Sequence, residues 1–199
     1  MLYFWPIGVL KKNIMQKIIL VLLLGGFFLS CGKEDPCENV TCRNGGICAN
    51  GVCNCPVGFT GSDCSLQQKP ARINIRSATI TKFPVTRPNG NSWDFSDGPD
   101  IYLMLLLNNV EIANNRLQTI ANTISTPVTF TNLPLGFEMS DATNQYVLRV
   151  MDRDDFGPDE ELGSIFFTPY QSTNGFPELL FVDCSVCNVA FVLTVTYEF

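Results

Sequence analysis

Nine of the nineteen acidic residues fall in two short segments, WDFSDGPD (93–100) and DRDDFGPDEE (152–161), whose one basic residue is Arg153. Asp94 and Asp100 stand six apart in the first. In the second, Asp152 and Asp154 are two apart, and Asp159 and Glu160 lie near its end. Two carboxylates about 4 Å apart repel by roughly 4 kcal/mol at an effective dielectric of about 20. Several such pairs would consume much of a native stability of about 5–15 kcal/mol. Either the segments splay and stay solvated, as acids in turns commonly do, or a hard cation sits between them. The solvated reading fits Asp97, Asp155 and Glu161. Carboxylate and carbonyl oxygens alone suit Ca2+, which accepts about six to eight of them in flexible geometry.

Cys37, Cys42, Cys48, Cys53, Cys55 and Cys64 crowd into CENVTCRNGGICANGVCNCPVGFTGSDC. A segment of about 30 residues cannot bury enough apolar surface to fold unaided, so it needs staples. Disulfides persist in oxidising surroundings, which puts the chain outside the cytosol. Six cysteines allow fifteen connectivities, and spacing alone does not choose among them. Cys184 and Cys187 (CSVC) read as a small structural disulfide closing a hairpin, because no helical pattern follows to suggest a redox motif. Two sulfurs in a chain with no histidine make a poor metal-thiolate site. The lack of histidine also removes the commonest general base, so the chain is not expected to be an enzyme. A net charge of −6 argues against nucleic acid as a partner.

Residues 18–30 (IILVLLLGGFFLS) form a short apolar run preceded by Lys11, Lys12 and Lys17, the pattern of a signal peptide within 1–30, with Met15 expected as the true start. The run is too short for a membrane-spanning helix, which needs about 20 apolar residues. Leu29-Ser30-Cys31-Gly32 resembles a bacterial lipoprotein cleavage box, with Phe28 where that box usually has leucine. The resemblance makes Cys31 a lipidated first residue, so the protein would be anchored to its own membrane; the alternative is ordinary secretion with a free thiol. Lys33-Glu34-Asp35 resembles the acidic tag that directs some lipoproteins outward, to the bacterial outer membrane or cell surface. The expected organisation is signal peptide 1–30, tether 31–35, stapled module 36–65, linker 66–70 and a main domain 71–199.

The acidic segments must be positioned by that main domain, and it reads as all-β. Val189, Phe191, Leu193, Val195 and Tyr197 alternate with the intervening residues, as do Ile73 and Ile75. Further strands are expected at 101–107, 115–121, 127–132, 145–151, 162–168 and 178–183. Eight short strands broken by Gly, Pro, Asn and Asp argue for an antiparallel β-sandwich. If consecutive strands alternate in direction, both acidic segments and the CSVC turn fall at one end.

Two resemblances sharpen this reading. The ending CxCxxGFxGxxC makes residues 36–65 similar to an EGF-like module, which implies the pairing Cys37–Cys48, Cys42–Cys53 and Cys55–Cys64. It lacks the Asp-x-Asp-Glu-Cys pattern of the calcium-binding subclass, so it is expected to be a rigid spacer. Residues 71–199 resemble the C2 family of calcium- and lipid-binding sandwiches. The carriers are Asp94 and Asp100 before Ile101-Tyr102, then Asp152-Arg153-Asp154 after Leu148–Met151, then Glu160 three residues before Gly163. The resemblance implies that Asp94, Asp100, Asp152, Asp154 and Glu160 are Ca2+ ligands. Glu160 stands where aspartate is usual, with Asp159 as a substitute. It also implies a permuted topology whose additional strand comes last, with both termini opposite the acidic loops. The resemblance places Phe95 and Phe156 where the family often carries apolar residues that dip into bilayers; the alternative is that each ring folds back over its own loop. The expected function is calcium-dependent attachment of a lipoprotein to a phospholipid membrane, a glycan or a surface protein. The alternative is a structural subunit in which calcium only stiffens the loops.

Overall fold

The computed structural model describes residues 34–94 and 97–199. The expected signal peptide, Cys31 and Phe95 lie outside the described residues. The N-terminal module is two small hairpins held by disulfides. Strands β1 (Ile47–Ala49) and β2 (Val52–Asn54) pair around Asn50 and Gly51, both at positive φ, and β3 (Phe59–Thr60) pairs with β4 (Leu66–Gln67). Cys37–Cys48, Cys42–Cys53 and Cys55–Cys64 are bonded, with Cα–Cα separations of 5.9, 5.6 and 5.3 Å. The interval read as a linker is thus ordered: β4 completes the module.

The main domain is an antiparallel sandwich. Its strands are β5 (Arg72–Lys82), β6 (Ile101–Leu107), β7 (Val110–Asn114), β8 (Val128–Thr131), the two-residue β9 (Glu138–Met139), β10 (Tyr146–Asp152), β11 (Glu160–Phe167), β12 (Leu179–Val182) and β13 (Ala190–Glu198). One sheet runs β11-β10-β6-β7, the other β12-β13-β5-β8, with β9 also on β5. The last strand therefore lies beside the first. Between the sheets sit Ile73, Leu103, Leu105, Leu148, Val150, Phe191 and Leu193, with the Tyr146 ring at the base. In β5 the inward residues run Ile73, Ile75, Ala78, Ile80. The step of three matches a register shift against Thr194/Val195, a bulge that keeps both halves of the long strand facing the core.

The third expected strand, 115–121, is a correction. The strand is β7 at Val110–Asn114, and Arg116–Gln118 form a 3-10 turn. Asn108 and Asn109 both take positive φ in a two-residue turn between Leu107 and Val110, so pairing must resume at once. Beyond it Leu117, which had looked like an inward strand residue, is fully exposed.

The connections β5–β6, β7–β8, β10–β11 and β12–β13 share one end: Thr123 N–H donates to the Pro99 carbonyl, Arg153 N–H to Asp100 and Asn188 Nδ2 to Leu162. The N-terminal module packs on the other end. There Phe176 of the β11–β12 connection meets Phe59, Tyr170, Tyr197 and Phe199, at 4.8–6.4 Å between ring centres. Gln67 bonds both the N–H and the carbonyl of Gly175, and Ala71 N–H donates to Glu198. Gly58, at φ +89, faces this cluster, and a Cβ there would lie 2.4 Å from the Phe176 ring.

Candidate cation site at the loop end

Asp152 is the centre of the site, and the strand period puts it there. Tyr146, Leu148 and Val150 point into the core, so the next residue of that parity is Asp152, at the top of the hydrophobic layer. It is fully buried. Its Oδ1 accepts the Asp100 N–H at 2.7 Å, while Oδ2 has no partner. A buried charged oxygen without a partner is costly, several kcal/mol in order of magnitude. The β10–β11 register shift at Val150/Met151 lies immediately below it.

Asp100 ends the β5–β6 connection, held by the Arg153 N–H on its carbonyl and by the Asn122 N–H at 2.8 Å on its Oδ1. Asp94 and Asp154 complete the group, and the carboxyls of Asp94, Asp152 and Asp154 are raised. Burial pushes Asp152 up to about 7; Asp94, Asp154 and Asp100 add to the rise, and the Asp100 N–H opposes it. Asp94 is raised by burial first, then by Asp100, Asp154 and Asp97. Asp154 is raised by burial and then by Glu160 and Asp159; Arg87 pulls both Asp94 and Asp154 back. Among the described residues no three such side chains converge closely enough to hold an ion as they stand.

Glu160 and Asp159 are in different company. Arg87 grips both oxygens of Glu160, Nη1 to Oε1 at 2.8 Å and Nη2 to Oε2. Its other contacts reach the Ser92 and Trp93 carbonyls, and its charged plane lies 5.1 Å from the Trp93 ring centre. Trp93 itself packs inward and donates Nε1–H to the Pro84 carbonyl, beneath the first acidic loop. Arg116 holds Asp159 through Nε at 2.5 Å and Nη2 at 2.9 Å, and the Tyr102 hydroxyl donates to the same carboxylate. The Arg116 guanidinium, aided by Tyr102, holds Asp159 down at about 2. Neither arginine lies in the two acidic segments, so counting charge within them missed both. Arg116 was further hidden by the mistaken strand.

Apolar residues project from the same end. Phe156, at the apex of the β10–β11 connection, is 97% exposed. Ile124 in the β7–β8 connection and Val186 inside the Cys184–Cys187 turn are also exposed, and neither drew notice in the sequence. Their signal was an isolated apolar residue within a polar turn.

The disulfide pairing and the strand order define the class: an EGF-like module followed by a C2-like β-sandwich. No protein-family model matches the chain. It is 40% identical over 60 residues to the Mus musculus EGF-like repeat and discoidin I-like domain-containing protein 3, covering 26% of this chain and 12% of that protein. It is 29% identical over 68 residues to the Rattus norvegicus cadherin EGF LAG seven-pass G-type receptor 2, covering 32% of this chain and 3% of that protein. The chain thus spans no more than 12% of the length of these relatives. Among solved structures it is similar to a C2 domain, with 12% identity and a TM-score of 0.39 over 64% of this chain and 98% of that one. It is also similar to human GIVD cytosolic phospholipase A2 solved with an inhibitor and terbium chloride, with 15% identity and a TM-score of 0.43 over 65% of this chain and 18% of that one. Likenesses this distant say nothing of the site.

Proposed function

We propose that this chain is an exported, lipid-anchored surface protein that binds rather than catalyses, and that its sandwich attaches to a partner surface when Ca2+ occupies the loop end. The observation that carries the proposal is the buried, unpartnered Oδ2 of Asp152 among Asp94, Asp100 and Asp154. To hold an ion these four would have to draw closer than they stand, and the ion would then supply the positive charge their crowding lacks. The donors are all oxygen, the set a hard divalent cation prefers. Once that charge is offset, Phe156, Ile124 and Val186 can enter an apolar surface, where a buried Phe gains about 1.5–3 kcal/mol. Phospholipid is therefore the first partner to test, ahead of a glycan or a protein.

Export rests on the four disulfides and on the N-terminal pattern, and lipidation of Cys31 on the cleavage box. Thermal melts in millimolar Ca2+ against chelator test the reading. A rise of several degrees with Ca2+ is expected, and identical melts would end it. Pelleting with anionic liposomes then separates attachment from the structural-subunit alternative. Calcium-dependent pelleting that weakens in Phe156→Ala supports attachment; Ca2+ stabilisation without pelleting supports the alternative.

A further inference from the structure

The two sheets of the sandwich end on the edge strands β11, β7, β12 and β8. Three of these edges carry groups that discourage pairing with another chain. β11 has Glu160 and Glu161, β7 has Glu111, and β8 follows Pro127 and leaves Thr129 and Thr131 exposed. Charges and prolines on an edge are the usual guards against strand addition. β12 has neither: it reads Leu-Leu-Phe-Val, with Leu179 46% and Phe181 76% exposed.

The backbone of β12 is open as well. Val195 N–H donates to the Glu178 carbonyl at 2.8 Å, and Leu179 stands opposite Thr194. Antiparallel pairing then bonds Leu180 and Val182 to β13 and turns the N–H and carbonyl of Leu179 and Phe181 outward. Beside this edge lies a cleft of about 420 Å3, with β12 as one wall and Phe167, Thr168 and Pro169, where β11 runs out, as the other.

The charge at the edge has one sign. No lysine or arginine follows Arg153 in the chain. Glu161 and Glu198 find Arg149 and Arg72, as Glu160 and Asp159 find Arg87 and Arg116. Glu178 and Asp183, the exposed residues bracketing β12, stand in no ion pair among the described residues.

We propose that β12 is a docking edge for an extended segment of a partner protein, apolar at alternate positions and bearing Lys or Arg at both ends. The segment extends the sheet by one strand: its backbone pairs with Leu179 and Phe181, its apolar side chains enter the cleft, and its end charges meet Glu178 and Asp183. A second copy of this chain fits worse, since an antiparallel β12–β12 pair sets each Glu178 beside the other copy's Asp183, and like charges across strands repel. The edge needs no ion and is separate from the loop end.

Fluorescence anisotropy of the full chain tests this with a labelled synthetic peptide that alternates valine and threonine between arginine pairs. Saturable binding, equal in Ca2+ and in chelator, is expected at up to about 1 mM peptide. The same peptide flanked by glutamates, or methylated at its backbone nitrogens, should bind at least about tenfold more weakly. Phe181→Pro removes an outward N–H and an outward ring while leaving the ladder to β13 whole, and should weaken binding by a similar factor. Glu178→Lys with Asp183→Lys should reverse the preference, so that the glutamate-flanked peptide binds more tightly. Circular dichroism melts report folding, and the peptide series and the charge reversal decide the matter even if Phe181→Pro does not fold. No binding of the arginine-flanked peptide, equal binding of its methylated form, unchanged binding in folded Phe181→Pro or after charge reversal, or binding only in Ca2+ would overturn the inference. So would a chain that sediments as a dimer alone and as a monomer in Phe181→Pro, which would give the edge to a second copy.

Discussion

Asp152 is the residue on which the loop end turns, because strand parity forces a carboxylate into a place built for an apolar side chain. Its folded-state pKa of about 7 lies above the ordinary aspartate value near 4. The folded protein therefore favours the neutral acid. The stability this contributes is complete below about pH 4 and is lost as pH rises through about 7. Asp94 and Asp154, both raised, act in the same direction. Asp159 acts oppositely, but only as pH falls through about 2. In chelator, urea midpoints should therefore fall between pH 5 and pH 8, and Asp152→Asn should flatten that slope. A wild-type midpoint constant across the range would contradict this. The gathering of the acids at one end was legible from spacing and strand alternation. Their division into a free four and a paired two was not, because it depends on arginines that reach the site from outside the acidic segments.

At the scale of elements, β5 and β13 stand where period-two patterning expects them, and β6 and β10 where near-continuous apolar runs mark strands buried on both faces. The third strand did not, because edge strands lack that burial: β7 leaves Val110 and Ile112 exposed. The pair Asn108-Asn109 was the better guide to where it begins. Where β7 ends, Asn115 takes over from the ladder. Buried, it accepts the Leu103 N–H on Oδ1 at 2.6 Å and donates its own N–H to the Leu103 carbonyl at 3.1 Å. Asn115→Ala would leave the Leu103 N–H buried without a partner. The expected loss is about 1–3 kcal/mol in urea denaturation. An unchanged midpoint would mean that water or a shifted backbone replaces the side chain.

Across the whole molecule, the stapled module and the sandwich meet through Phe176 and its four aromatic neighbours, with Gln67 and Tyr170 adding hydrogen bonds across the joint. Strands of seven to eleven residues at about 3.3 Å each set the acidic loops roughly 25–35 Å from that joint. The stapled module itself was legible from the cysteines, though its last strand, β4, fell in the interval read as a linker. The joint was not, since Phe59, Phe176 and Phe199 carry no mark distinguishing an interface ring from a core ring. NMR relaxation should show one tumbling time for residues 36–65 and 71–199. Phe176→Ala should shorten it for the module alone and lower stability by about 2–3 kcal/mol. Equal tumbling in both proteins would show that the hydrogen bonds suffice.

A crystal soaked in Ca2+, or in Tb3+ for its anomalous signal, tests the central claim most directly. One peak in contact with Asp152 Oδ2 and with Asp94, Asp100 and Asp154 is expected, with Arg87 still on Glu160. Well-ordered loops with no density beside Asp152 at millimolar ion would contradict it.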